Sequence, residues 1–149
     1  MKSLFDAAEN ASALERIQSL SKDSKPEWGK MGPAQMQAHC CVGFEVATGK
    51  TQLKPMFMGR LIGRFVKKSA LNPKPFKHGL PTAPDFIVKD ERDFDQEHAR
   101  LTELVREFAA KGPAGLTSEP HPFFGKMSQE DWDLLMWKHL DHHLRQFGA

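Results

Sequence analysis

WKHLDHHLRQF, residues 137–147, places three histidines within five positions near the end of the chain. His139 and His143 are four apart, so on an α-helix one imidazole lies above the other, while His142 is displaced from His139 by about 60° around the helix. Followed upstream, the same register carries Trp132, Leu135 and Met136, and downstream Phe147, all down one side. Ser128 stands where an N-cap belongs, with Asp131 three residues on. Two stacked imidazoles can hold a metal ion but cannot close a site alone. Further ligands have to come from another helix.

Working outward, three more helices are expected. AAENASALERIQSL, residues 7–20, has apolar residues at helical spacing. Gly32-Pro33 opens a second helix running to about Thr48, because proline at the first helical position loses no hydrogen bond, and Gly49 stops it. Met36, His39, Cys40, Gly43 and Ala47 then share one face, which turns His39 inward. A third begins near Asp93 and ends at Lys111-Gly112-Pro113, with Phe94, His98, Leu101, Val105 and Phe108 as its stripe. By that count His98 is inward too.

Between the second and third of these, MFMGRLIGRFVKKSAL is expected to form a short basic amphipathic helix weakened by Gly59 and Gly63. Its Arg60, Arg64, Lys67 and Lys68 read first as a solvated basic face and second as a seat for an anionic group. LNPKPFKHGLPTAPDF follows as an extended, proline-rich loop, expected to be a lid or cavity wall. A brief strand near 86–90 is compatible with the pattern. The fold expected is all-α: a four-helix bundle with an extra short helix and a long proline-rich loop between helices two and three. WGKMGPAQM (28–36) and FGKMSQEDW (124–132) also lead into major helices through similar aromatic-Gly-Lys-Met turns.

The composition bounds the function. At 149 residues, one domain is expected. A net charge of +2 supplies no strong field for nucleic acid, and no apolar run of 18 residues exists to span a bilayer. MKSLFDAAENAS turns polar before a secretory segment can form, so a cytoplasmic protein with neither nucleic acid nor membrane as partner is expected. The only cysteines, Cys40 and Cys41, are adjacent and poorly placed to pair with each other. HEXXH, a glycine-rich phosphate loop and a nucleophile elbow are all absent. The carboxylates Glu45, Asp131, Asp133 and Asp141 form no obvious pair, with Asp141 expected on the solvent side.

The chemistry therefore rests on imidazoles. A lone inward histidine is more often a satisfied core residue than a ligand, but His39 joined to His139 and His143 gives three donors from two helices with positions left open. Zinc is the first choice for such a set, with nickel or iron also acceptable. His98 is a candidate competitor or fourth member of the set, His142 is offset as a supporting or rim residue facing substrate, and either is a candidate for assisting a proton transfer. His121 is expected in a turn, and the tryptophans are expected to pack.

WGKMGPAQMQAHC (28–40) and HPFFGKMSQEDWDLLMWKHLDHHLRQF (121–147) resemble the DinB-like superfamily, in particular a branch of uncharacterised bacterial proteins. The resemblance implies a four-helix bundle and a metal triad carried onto His39, His139 and His143. It further implies a metal-dependent transferase or isomerase using a low-molecular-weight thiol such as bacillithiol, mycothiol or glutathione against a small electrophile beneath the 70–86 loop, often in a homodimer. The alternative is a non-catalytic metal- or small-ligand-binding stress protein.

Overall fold

Residues 2–149 are described by a computed structural model. Helix α1 (Ala7–Gln18) starts at Asp6, whose carboxylate accepts the backbone N–H groups of Ala8 and Glu9. It ends before Leu20, two residues short of expectation, where Ser19 turns its hydroxyl back to the Arg16 carbonyl. Helix α2 (Pro33–Ala47) carries Pro33 at its first position, and Gly49 leaves it at φ +71°. Helices α3 (Phe57–Ala70), α4 (Phe94–Lys111) and α5 (Gln129–Gln146) complete the set. Asp93 caps α4 through the Gln96 N–H at 2.8 Å, and Ser128 with Asp131 forms a reciprocal box at α5.

Helices α1 and α2 each pack against both α4 and α5, which makes these four a bundle with α3 on its periphery. The core is continuous across them: Ile17 from α1, Met36 and Phe44 from α2, Leu101, Val105 and Phe108 from α4, and Leu140 and Leu144 from α5 are nearly inaccessible. Phe108 stacks on Phe5 at 4.9 Å and meets Phe44 edge-on at 5.3 Å. Cys40 and Cys41 are buried here as free thiols, with burial pushing Cys41 up to about 12.

No strand forms at 86–90. Pro84–Phe86 is instead one turn of 3-10 helix, since Pro84 fixes the turn and the extended residues after it have no strand to pair with among the described residues. Asp141 also departs from expectation: it is buried, held by Arg16 at 2.8 Å and Arg145 at 3.0 Å. Glu45 likewise has a partner, Arg100 at 2.7 Å. The Arg16–Asp141 and Arg100–Glu45 pairs join helices distant in sequence, which no local spacing could register. Among the described residues, no helix is long and apolar enough to cross a membrane.

Candidate metal centre

Three imidazoles meet where α2 faces α5. His39 comes from the middle of α2, and His139 and His143 from successive turns of α5, with ring centroids 4.7, 4.6 and 4.8 Å apart in a near-equilateral triangle. One ligating nitrogen from each lies within 4.8 Å of the others. His39 and His143 are buried, while His139 retains partial access to solvent.

The outer nitrogens are held by neutral oxygens. The Nδ1–H of His39 donates to the Phe86 carbonyl at 2.7 Å, because a carbonyl can only accept. The side-chain amide of Gln146 donates its Nε2 to the Trp28 carbonyl at 2.8 Å, which leaves Oε1 to accept the Nδ1–H of His143 at 2.8 Å. Both rings therefore present Nε2 lone pairs inward. His139 Nε2 lies 2.8 Å from His39 Nε2, and because His39 holds its proton on Nδ1, the Nε2–H of His139 donates to it. Orientation of metal-ligating histidines by backbone or amide oxygens is the usual supporting arrangement of such sites.

Electrostatics select the same form. Burial pushes His39 down, against its bond to Phe86, and pushes His139 well below the ordinary imidazole value, with His39, His143, His142 and His121 adding repulsion. His143 falls to about 3, through burial and then His39, opposed by its bond to Gln146. All three are neutral at pH 7, the state in which imidazole ligates.

Space at the centre depends on Gly43, one turn beyond His39. A Cβ there would lie 3.2 Å from Met136 Cε and 3.3 Å from His139 Nδ1, so the bare α-carbon gives the His139 ring its place. Gly29, at φ +81°, similarly lets Gln146 Nε2 approach to where its own Cβ would stand 2.5 Å away. Gly125 has φ +73°, so the two similar aromatic-Gly-Lys-Met turns share a left-handed glycine.

His142, one residue from the triad, is half-buried. Its ring is 5.7 Å from that of Trp28 and 5.8 Å from that of Phe76, beside His78, which stacks on Trp28 at 3.6 Å. These residues, with Trp137 and Lys138, wall a cavity of about 270 Å³. The proline-rich loop is thus a wall next to the site and supplies the Phe86 carbonyl behind His39. A larger cavity of about 660 Å³ lies around Gly32, Gln35, Arg92 and Phe94, open and without any histidine.

The structure does not bring His98 to the triad. Its Nδ1 donates to Gln37 Oε1 at 2.9 Å, on a face of α2 turned away from His39. His121 does form the expected turn, its Nδ1 accepting the N–H groups of Phe123 and Phe124 at 3.1 Å, but it is also largely enclosed against Phe124 and Trp132, with burial pushing it down to about 4. Gln146, Phe86 and Gly43 were not foreseen as parts of the site. Gln146 and Gly43 left a signal, each lying about one turn beyond a triad histidine on the same helix.

A family model for a protein of unknown function, DUF1569, matches residues 2–149, and the chain belongs to that family. No curated protein and no solved structure matches it. The four-helix architecture that the DinB-like resemblance implies is the one the structure has.

Proposed function

We propose that this member of the DUF1569 family is a metal-dependent enzyme, with His39, His139 and His143 holding a divalent ion and a low-molecular-weight thiol used against a small electrophile. One observation carries the metal reading: three neutral imidazoles converge from two helices, and two of them have Nδ1 anchored so that Nε2 points inward. Zinc, nickel or iron suits three nitrogen donors. Bound there, the ion would supply Lewis acidity that lowers the pKa of a coordinated water or thiol.

The chain's own residues have distinct tasks. Phe86 and Gln146 fix the two buried rings, and burial keeps them neutral. Trp28, Phe76 and His78 give an electrophile an aromatic wall beside the triad, and His142 in that wall is the residue assigned to carry a proton. His98, bonded to Gln37, is left a structural role. Support for the thiol is the resemblance of segments 28–40 and 121–147 to the DinB-like superfamily, which implies thiol-using transferases or isomerases.

Elemental analysis of protein purified without a metal-affinity tag tests the centre against His39→Ala and His143→Ala variants that keep their helical circular dichroism. The expected result is near-stoichiometric metal in the parent only. Conjugation of a generic electrophile with bacillithiol, mycothiol or glutathione should then require both metal and triad. Metal without thiol-dependent turnover would replace the enzyme with a metal-binding protein, and a parent that neither contains nor takes up zinc, nickel or iron would refute both.

A further inference from the structure

Helix α3 lies against the bundle with its apolar side facing away from it. Phe57, Met58, Leu61, Ile62 and Phe65 are 40 to 72 % exposed, and at helical spacing they form one continuous band. The orientation is built in. Gly59 and Gly63 face the protein so closely that a Cβ on either would stand 2.4 or 2.2 Å from the Phe123 carbonyl oxygen. The Met56 N–H donates to the Pro122 carbonyl at 2.8 Å, and Lys67 bonds the Lys126 carbonyl at 2.7 Å and Asp131 at 2.6 Å. Turning the band inward would break these bonds and drive side chains into backbone.

Charge separates the occupants such a face admits. Residues 50–84 hold eight Lys and Arg and no Asp or Glu, while the rest of the chain has 13 basic residues against 19 acidic ones. Arg60, Arg64 and Lys68 are exposed, form no ion pair among the described residues and line one edge of the apolar band. A second copy of the chain, meeting this face symmetrically, would set cation against cation. A nucleic acid would satisfy the cations but leave five large apolar side chains without an apolar partner. An anionic bilayer surface satisfies both.

We propose that α3 is a membrane-surface contact, its apolar band seated among acyl chains of an anionic bilayer and Arg60, Arg64 and Lys68 against the headgroup phosphates. Long cationic side chains reach from the helix edge to that depth while their stems cover apolar surface. This is attachment to one leaflet and needs no spanning helix.

Flotation of the full-length protein with vesicles of phosphatidylcholine and phosphatidylglycerol, against phosphatidylcholine alone, tests it. The parent should float with the anionic vesicles, weakening with salt. Leu61→Ser/Phe65→Ser and Arg60→Glu/Arg64→Glu should both stay in solution, and neutralising each cation should lose about fivefold in vesicle affinity. Circular dichroism checks the variants, whose changes are all at exposed positions. Phe65→Trp gives a second readout, since its added emission should shift to the blue with anionic vesicles only. A parent that stays in solution, an apolar variant that floats as the parent does, or a parent dimer dissolved by Leu61→Ser/Phe65→Ser would each overturn the proposal, the last in favour of a second copy.

Discussion

Replacing Gly43 with alanine separates the site from the fold. The new methyl would stand 3.2 Å from Met136 Cε, 3.3 Å from His139 Nδ1 and 3.4 Å from His139 Cε1, so those neighbours must yield by a few tenths of an ångström. Methionine yields easily. The His139 ring is the constrained partner, because nitrogens about 2.0–2.1 Å from a tetrahedral ion lie about 3.3 Å apart, and His139 Nε2 now stands 2.8 Å from His39 Nε2. Closing on an ion therefore requires the rings to move by about 0.5 Å, comparable to the clearance the methyl removes. In the metal-free protein, a helix-propensity gain of about 1 kcal/mol opposes an overpacking cost of similar size. The midpoint of urea unfolding should thus stay within about 1 kcal/mol of the parent, while metal affinity, measured by competition with a chromogenic chelator, falls about tenfold or more. Ala38→Gly, buried on the same helix, should lose about 1 kcal/mol of stability at unchanged affinity. If Gly43→Ala binds zinc and nickel as tightly as the parent, clearance at His139 does not set the geometry of the centre.

Gln146→Leu removes the acceptor from His143 Nδ1 and the donor from the Trp28 carbonyl, so metal affinity should fall about 10- to 100-fold in the same competition assay, and unchanged affinity would show that His143 needs no anchor. Acid should weaken the metal-free fold. His143 drops from 6.5 to about 3 and His121 from 6.5 to about 4, so the unfolded chain binds protons that the folded chain refuses. Stability should be full above the unfolded value and fall by about 2 kcal/mol per histidine between pH 7 and pH 5, read from urea midpoints, and a flat profile would mean that these rings are not buried neutral. Phe44→Ala, at a fully buried ring contacting Phe108, should cost about 3–5 kcal/mol in chemical unfolding. Chelation of bound metal should lower the thermal midpoint of the parent and leave that of His39→Ala unmoved, since an ion that binds only the native state stabilises only a chain that retains its ligands.

Helix type, most boundaries and the three histidines were legible in the sequence because each depends on local register. Pro33, Asp93 and Ser128 announce helix starts whatever lies nearby, and the four-residue step from His139 to His143 stacks two rings on any α-helix. His39 was legible for a related reason: its position on the apolar stripe of α2 turns it toward whatever helix covers that stripe. Tertiary structure decided everything that needs two distant segments at once. It gave His98 to Gln37, Asp141 to Arg16 and the Phe86 carbonyl to His39. It also made Gly43 a place for a ring and turned the apolar band of α3 outward, since what a glycine admits and which face of an amphipathic helix is covered depend on the neighbour that arrives. Periodicity sorts a helix into faces; only packing says what meets each face.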